Sequence, residues 1–393
     1  MTIPRARRAS RRDRWLWLGL AGGSIALAAA LVIASRPSSA ALSTQPSSTA
    51  TPTPARVPAS KPATALASDG HWIRTSLHGN VTALLTAPRQ PSILLAATTT
   101  GVWRSVDGGA TWRPDGAGAW GRAIFVLTDT SNSATVWAGG FDGTVYMRRG
   151  AAAGRVEWRR ISPVLLTDPA YGPMPIYSLA VSPLPGHPIL AGSMGAIFRG
   201  APRGAGRVWR WTRVWQWRRG AAGSAGVAVT SLIVAPWDGR LVFGSLFEAS
   251  PPIMSSHDGG RAWAPDASGL PATLPTQALA SDSAHADRIF LTTMGGGVWQ
   301  RRASGRWLDI SAGLPQRHAM PLLQAGPTGA GVLVAGTMGQ GVFEKQGAAA
   351  WHPLGRGLDG AAATVTSLIE TTGPRPVLLA GTSAGVFRYV PAS

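Results

Sequence analysis

The feature that most constrains this chain is an internal repeat over residues 69–393. Each unit holds an alternating apolar strand, a second apolar run, a Gly-rich turn, a short third strand, and then a Trp. The first unit reads Val81-Thr82-Ala83-Leu84, Ile93-Leu94-Leu95-Ala96, Gly101-Val102-Trp103-Arg104, and ends at Trp112. The last reads Val365-Thr366-Ser367-Leu368, Val377-Leu378-Leu379-Ala380, Gly385-Val386-Phe387-Arg388. Aligning the third strands gives Val102, Val145, Ile197, Ile253, Val298, Val342 and Val386, at steps of 43, 52, 56, 45, 44 and 44. Periods of roughly 40–50 residues suit the four-stranded blade of a propeller. The runs are short, β-branched and bounded by Gly and Pro, which excludes a helical solenoid. The predicted fold is all-β, a seven-bladed β-propeller.

Closure of the ring is also legible. A Trp follows the third strand in six units, at Trp112, Trp158, Trp209 or Trp211, Trp263, Trp307 and Trp351. The seventh would fall beyond Ser393, while Trp72 stands alone before the first unit. The segment around Trp72 is therefore expected to supply the outer strand of the last blade, leaving no free edge between the first and last blades.

Upstream, residues 1–14 carry six arginines against Asp13. An uncharged apolar run follows from Trp15 to Ser35. About 20 helical residues span a bilayer core, and arginines ahead of the span mark the cytoplasmic side. The expectation is a basic cytoplasmic tail (1–14), a transmembrane signal-anchor (15–35), a disordered Pro/Ser/Thr/Ala-rich linker (36–68) and the propeller outside. The alternative is secretion after signal cleavage near Ser38-Ser39-Ala40.

Two units carry a sharper signature, Ser105-Val106-Asp107-Gly108-Gly109-Ala110-Thr111-Trp112 and Ser256-His257-Asp258-Gly259-Gly260-Arg261-Ala262-Trp263. Both match S-x-D-x-G-x-x-W, so the chain resembles the BNR, or Asp-box, repeat propellers, which include sialidases, xyloglucanases, sortilin-like receptors and photosystem II assembly factor-like proteins. The residues themselves describe a turn. Asp and Ser bond nearby backbone N–H groups, Gly supplies positive φ, and Trp packs between sheets. Ser105, Asp107, Gly109, Trp112, Ser256, Asp258, Gly260 and Trp263 are thus expected to be structural.

The sialidase-like resemblance implies an arginine triad, a Tyr–Glu pair and an Asp acid, opened by an Arg-Ile-Pro motif. No Arg-Ile-Pro occurs, and Glu157 and Glu344 fall on or beside outer strands. Xyloglucanase-type relatives bind substrate between two propellers, and one propeller is found here. Asp142 and Asp168, in second-blade loops, come nearest to the paired carboxylates of a glycosidase, although Asp142-Gly143 also reads as a hairpin turn. Seven scattered histidines and no cysteine leave no metal-ligand pattern, and no cofactor is expected.

Binding features are more prominent. In Arg207–Arg219, an extended chain would put Trp209, Trp211, Trp215 and Trp217 on one face among arginines. Trp211, Arg213, Trp215, Trp217 and Arg219 are candidate binding residues. Met194, Met294 and Met338 each sit in a turn after a second strand, where they would form a soft apolar rim. Basic residues exceed acidic ones by 19, and 11 of that excess lies in 69–393, which attracts anionic surfaces. The first expectation is a monomeric, membrane-anchored, non-catalytic scaffold for a protein or an anionic glycan of the cell wall. No nucleic acid partner is expected. The alternative is a carbohydrate-active enzyme of sialidase or glycoside hydrolase type.

Overall fold

The computed structural model describes residues 69–392, apart from short segments at 88–91, 119–120, 130–134, 151–155, 205–207, 218–226, 283–287, 326–331 and 372–375. Seven four-stranded antiparallel sheets succeed one another along the chain, so the architecture is the predicted seven-bladed propeller. The innermost strands are Val81–Thr86, Ile124–Asp129, Ser178–Val181, Ala228–Ala235, Thr276–Ser281, Ala319–Ala325 and Val365–Glu370. Their side chains alternate between the two neighbouring blades. Leu279 joins the core shared with blade 4, and Ala280 joins the core shared with blade 6.

An innermost strand has an open edge, whose backbone groups need partners. Here hydroxyls from adjacent blades supply several of them. Thr82 Oγ1 donates to the Ile124 carbonyl at 2.6 Å, and Thr366 Oγ1 to the Val81 carbonyl at 2.5 Å. Ser178 Oγ donates to the Val229 carbonyl at 2.8 Å. In the other sense, Leu84 N donates to Ser367 Oγ, and Leu279 N to Ser231 Oγ. The Thr or Ser near the start of the innermost strands of blades 1, 3, 4 and 7 is therefore a link between blades.

Ring closure follows the predicted route. His71–His78 forms the outer strand of the last blade, with Trp72 opposite Tyr389. Trp72 is buried, its ring 5.1 Å from that of Tyr389, and its Nε1 donates to the Leu354 carbonyl of blade 6. The same stitch recurs. Trp158 donates to Asp115 O, Trp211 to Ile161 O, Trp307 to Asp266 O and Trp351 to Ile310 O. In each case a blade's Trp reaches the backbone that leaves the preceding blade.

Blades 1 and 4 depart from this rule. Trp112 Nε1 and Trp263 Nε1 donate inside their own turns, to Gly109 O and Gly260 O. Both turns form as the signature implies. Ser105 Oγ donates to Asp107 Oδ1 at 2.7 Å and accepts from Gly109 N, and Ser256 repeats this with Asp258 and Gly260. The link to the next blade then comes from an acid two residues beyond the fourth strand's start. Asp115 accepts two bonds from Arg148, and Asp266 two from Arg301.

Residues 1–68, with the expected tail, signal-anchor and linker, lie outside the described residues, as does Arg219. Among the described residues no helix is long and apolar enough to cross a membrane.

Candidate functional site

The turns after the second strands and the loops entering the innermost strands emerge at one end of the ring, around the channel mouth. Carboxylates at this end divide into two kinds. Asp115 and Asp266 are held by arginines as described, and Asp115 is fully buried. Both follow a Trp-x-Pro-Asp sequence directly after an intact signature, a signal that composition and strand period do not reveal.

Asp142 is different. It sits in the turn between the second and third strands of blade 2, where Gly143, at φ 73°, completes a tight reversal. Its Oδ1 accepts from Thr144 N at 3.2 Å and from Thr144 Oγ1 at 2.6 Å. Its Oδ2 accepts from Tyr146 Oη at 2.6 Å and from Arg122 at 3.3 Å. Partial burial works against ionisation, but the bonds from Thr144 and Tyr146, together with the Arg122 charge, outweigh it and hold the carboxyl below its usual range. Burial first, and then the bond to Asp142, push the Tyr146 phenol up. Asp142 is thus an ionised carboxylate, half-buried and still open to solvent.

An aromatic surface adjoins it. Phe141 is 49% exposed and stacks on Phe125 at 5.1 Å, and Phe125 meets Tyr177 at 5.7 Å. Beyond Tyr177 the apolar rim continues through Ala228 and Phe247, with Met194 and Met294 packed against them. Two of the three candidate methionines therefore meet in one cluster, while half-exposed Met338 is not part of it. The loop leaving blade 2 folds back over the Asp142 turn, with Leu165 N donating to Gly143 O. That loop carries a small hairpin, Thr167–Asp168 paired with Gly172–Pro173. Asp168 caps Ala170 N and Tyr171 N there, and Tyr171 is 50% exposed. Of the two carboxylates singled out in the sequence, Asp142 thus adjoins Phe141 and Asp168 lies on the hairpin that carries Tyr171.

A third acid was not legible. Burial pushes Asp129 up to about 7. It closes the innermost strand of blade 2 at the end away from the mouth, about 17 Å from Ile124 at strand rise. That separation exceeds the carboxylate spacing of glycosidases, so it cannot work with Asp142.

The Trp-rich strand corrects one expectation. Val208–Gln216 is the outer strand of blade 3, but its tryptophans do not share a face. Ile197 pairs with Trp215 and Phe198 with Arg213, so Val214 is bulged out and the alternation reverses. Trp209 and Trp211 pack toward blade 2, and Trp215 and Trp217 toward blade 4. Arg213, opposite Phe198, goes with the first pair.

No family model matches the chain, and no curated protein matches it. Solved structures do. An ancestral GH74 enzyme superposes with a TM-score of 0.61 at 16% identity, covering 85% of this chain and 46% of its own. The GH74 xyloglucanase from Xanthomonas campestris gives 0.59 at 21% identity, covering 81% and 53%. A GH74 enzyme from Niastella koreensis gives 0.58 at 14%, covering 79% and 52%. The chain spans about half the length of these structures. At such identities the likeness carries the propeller fold.

It also corrects the expectation of a non-catalytic scaffold toward its alternative, a carbohydrate-active enzyme, because these three similar propellers are GH74 enzymes. Glycosidases in general need only two carboxylates of differing protonation beside a sugar-binding surface, and that requirement sets no sequence spacing.

Proposed function

We propose that this chain is a carbohydrate-active protein of glycoside hydrolase type, whose glycan lies across the blade 2 side of the channel mouth. The observation that carries the reading is Asp142, an ionised carboxylate held by Thr144, Tyr146 and Arg122 directly beside the exposed Phe141 ring. Exposed aromatic rings offer an apolar face to the C–H groups of a sugar. An ionised carboxylate fixed at that face suits the base or nucleophile of glycoside hydrolysis. Asp168, on the hairpin of the loop that folds over the Asp142 turn, would serve as its partner. The GH74 likeness supports this chemistry and suggests a β-glucan such as xyloglucan as the first substrate to try. The expected anchor at residues 15–35 would present this face to extracytoplasmic glycans.

The test is release of reducing ends from xyloglucan and a panel of other polysaccharides by the full chain. Asp142→Asn keeps the size of the side chain and removes the charge, so turnover should fall by about 10²–10⁴-fold. Because the Asp142 carboxyl is held low, activity should persist below the ordinary carboxylate range and fail only at more acid pH. Absence of turnover on every glycan, or turnover unaltered in both Asp142→Asn and Asp168→Asn, would overturn the reading.

A further inference from the structure

The opposite end of the ring carries a second feature, at the junction of blades 3 and 4. The third and outer strands of blade 3, Ala196–Arg203 and Val208–Gln216, are far longer than their blade 1 counterparts, Gly101–Ser105 and Arg113–Pro114. The excess length overhangs the ring. Strand register sorts its residues by face. Leu190, Arg199 and Thr212 form one cross-strand row, Ala201 and Arg210 the next on the same face, and Arg203 and Val208 the one after. Leu190 and Ile197 of this face belong to the core shared with blade 4, so the face looks toward blade 4.

What it meets there is the Ser256–Trp263 turn. A Cβ on Gly260 would lie 2.6 Å from Leu190 Cδ1, so the turn packs directly on Leu190 and Arg199 stands beside it. Arg261 projects from the same turn, its Nη1 donating to the Asp258 carbonyl at 2.7 Å. The Asp258 carboxylate accepts from Ser256 Oγ and from the backbone of Arg261 and Ala262. Arg199 Nε is buried and meets no acceptor. Burial and then the charge of Arg261 pull the Arg199 guanidinium down, against a smaller opposing effect from Asp258, so two cations share one space. Arg203, Arg210 and Thr212 are exposed.

The molecule contains its own control. At the junction of blades 7 and 1, Leu379 packs on Gly109 in the same way, and Leu379, Arg388 and Ile73 form the equivalent row. The turn there has Ala110 in place of Arg261, and the next row is Val390 with His71 in place of Ala201 with Arg210. The framework is shared, and of these two junctions the blade 3–4 one carries the added arginines.

We propose that this cleft binds an acidic polysaccharide, with Arg199, Arg203, Arg210 and Arg261 holding its carboxylate or sulfate groups. Guanidinium groups pair with planar oxyanions through two parallel N–H bonds. Arg199 and Arg203 lie about 13 Å apart along an extended strand, which spans more than one charged group of a polymer. Trp209 and Trp211 face the other way, toward blade 2. Trp215 and Trp217 lie on this face but toward its other end, packed on the core shared with blade 4, so the arginine rows hold no exposed aromatic platform of the kind a single-stranded nucleic acid uses. Val208, 64% exposed, is its one exposed large apolar residue among those described, too little for the anchor of a protein interface. The cleft stands on its own geometry, while the preference for a polysaccharide rests on the glycan reading above.

The experiment is retention of the full chain on immobilised polygalacturonate, dextran sulfate, uncharged dextran and duplex DNA, with hydrolysis assayed separately. The expected result is retention on one or both acidic polysaccharides, with the two matrices separating carboxylate from sulfate preference. Arg203→Glu/Arg210→Glu, on exposed positions, should weaken that binding by about tenfold or more. Arg388→Glu should leave it unchanged, and thermal melting checks that each variant is folded. Equal retention on uncharged dextran, tighter retention on DNA, parental binding by the double variant, or an equal loss in Arg388→Glu would each overturn the proposal. A chain that hydrolyses nothing yet shows the expected retention would defeat the hydrolase reading and leave this one standing.

Discussion

The two intact signature turns, Ser105–Trp112 and Ser256–Trp263, share a framework and differ in what they turn outward. In both, Ser bonds Asp and a Gly N–H, Gly packs on a Leu of the preceding blade, and Trp Nε1 closes back on the turn. In the first, Thr111 Oγ1 donates to Asp107 Oδ2 at 2.5 Å, so the turn satisfies its own acid. In the second, Ala262 replaces Thr111 and Arg261 replaces Ala110, so a hydroxyl is lost and a guanidinium gained. One turn is self-contained and the other carries a charge toward its neighbour. The comparison teaches that a conformational device, once its backbone bonds are met, leaves its remaining positions open to other uses.

The largest expected difference lies in the tryptophans. Trp112 is 8% exposed, while Trp263 is only partly buried. Trp112→Ala should cost about 3–5 kcal/mol of stability, the scale of a buried aromatic, and Trp263→Ala clearly less. Chemical denaturation of the two variants measures this, and an equal or larger loss at Trp263 would break the ranking.

A smaller effect concerns acid. At Asp107, burial opposes ionisation, but the Thr111 hydroxyl and backbone and the Ser105 hydroxyl outweigh it and hold the carboxyl at about 2. A depressed folded value means that the contribution is present above the unfolded value near 4 and lost as pH falls toward 2. Asp107→Asn should therefore flatten the decline in melting temperature over that interval. Its effect at neutral pH should stay below about 1 kcal/mol, because the group is exposed and screened. Thr111→Ala removes a hydroxyl bond that the second turn also lacks and raises the folded Asp107 value toward the unfolded one, so the decline should become smaller and end at higher pH. A pH series of melts that superimposes on the parent would refute the Thr111 contribution.

The smallest effect is expected from Arg261→Ala. An exposed side chain that donates to one carbonyl should alter stability by less than about 0.5 kcal/mol. The same substitution should weaken acidic-polysaccharide retention. A variant that melts far below the parent would make Arg261 a structural part of the turn and remove the contrast between the two.

Much of the fold was open to a reader of the chain. The strand repeat, the seven units, and the return of Trp72 to the last blade all follow from periodicity, because strands announce themselves locally through alternation, β-branching and bounding glycines. The signature turns were legible for the same reason, since their bonds join residues four apart or fewer. Asp142 and Asp168 could be named as loop carboxylates. What distinguished Asp142 could not, because Arg122 reaches it from the loop entering the blade, 20 residues upstream.

The division falls where pairing replaces spacing. Counting along Arg207–Arg219 puts four tryptophans on one face, and a single bulged residue, Val214, reverses that assignment halfway. Sequence spacing counts residues on one strand, whereas the face a side chain takes depends on its partner strand, and an unpaired residue shifts every later one. The arginines of the blade 3–4 cleft show the same limit. Arg199 and Arg261 are 62 positions apart, and only the packing of one blade's turn on the next blade's sheet brings their charges together.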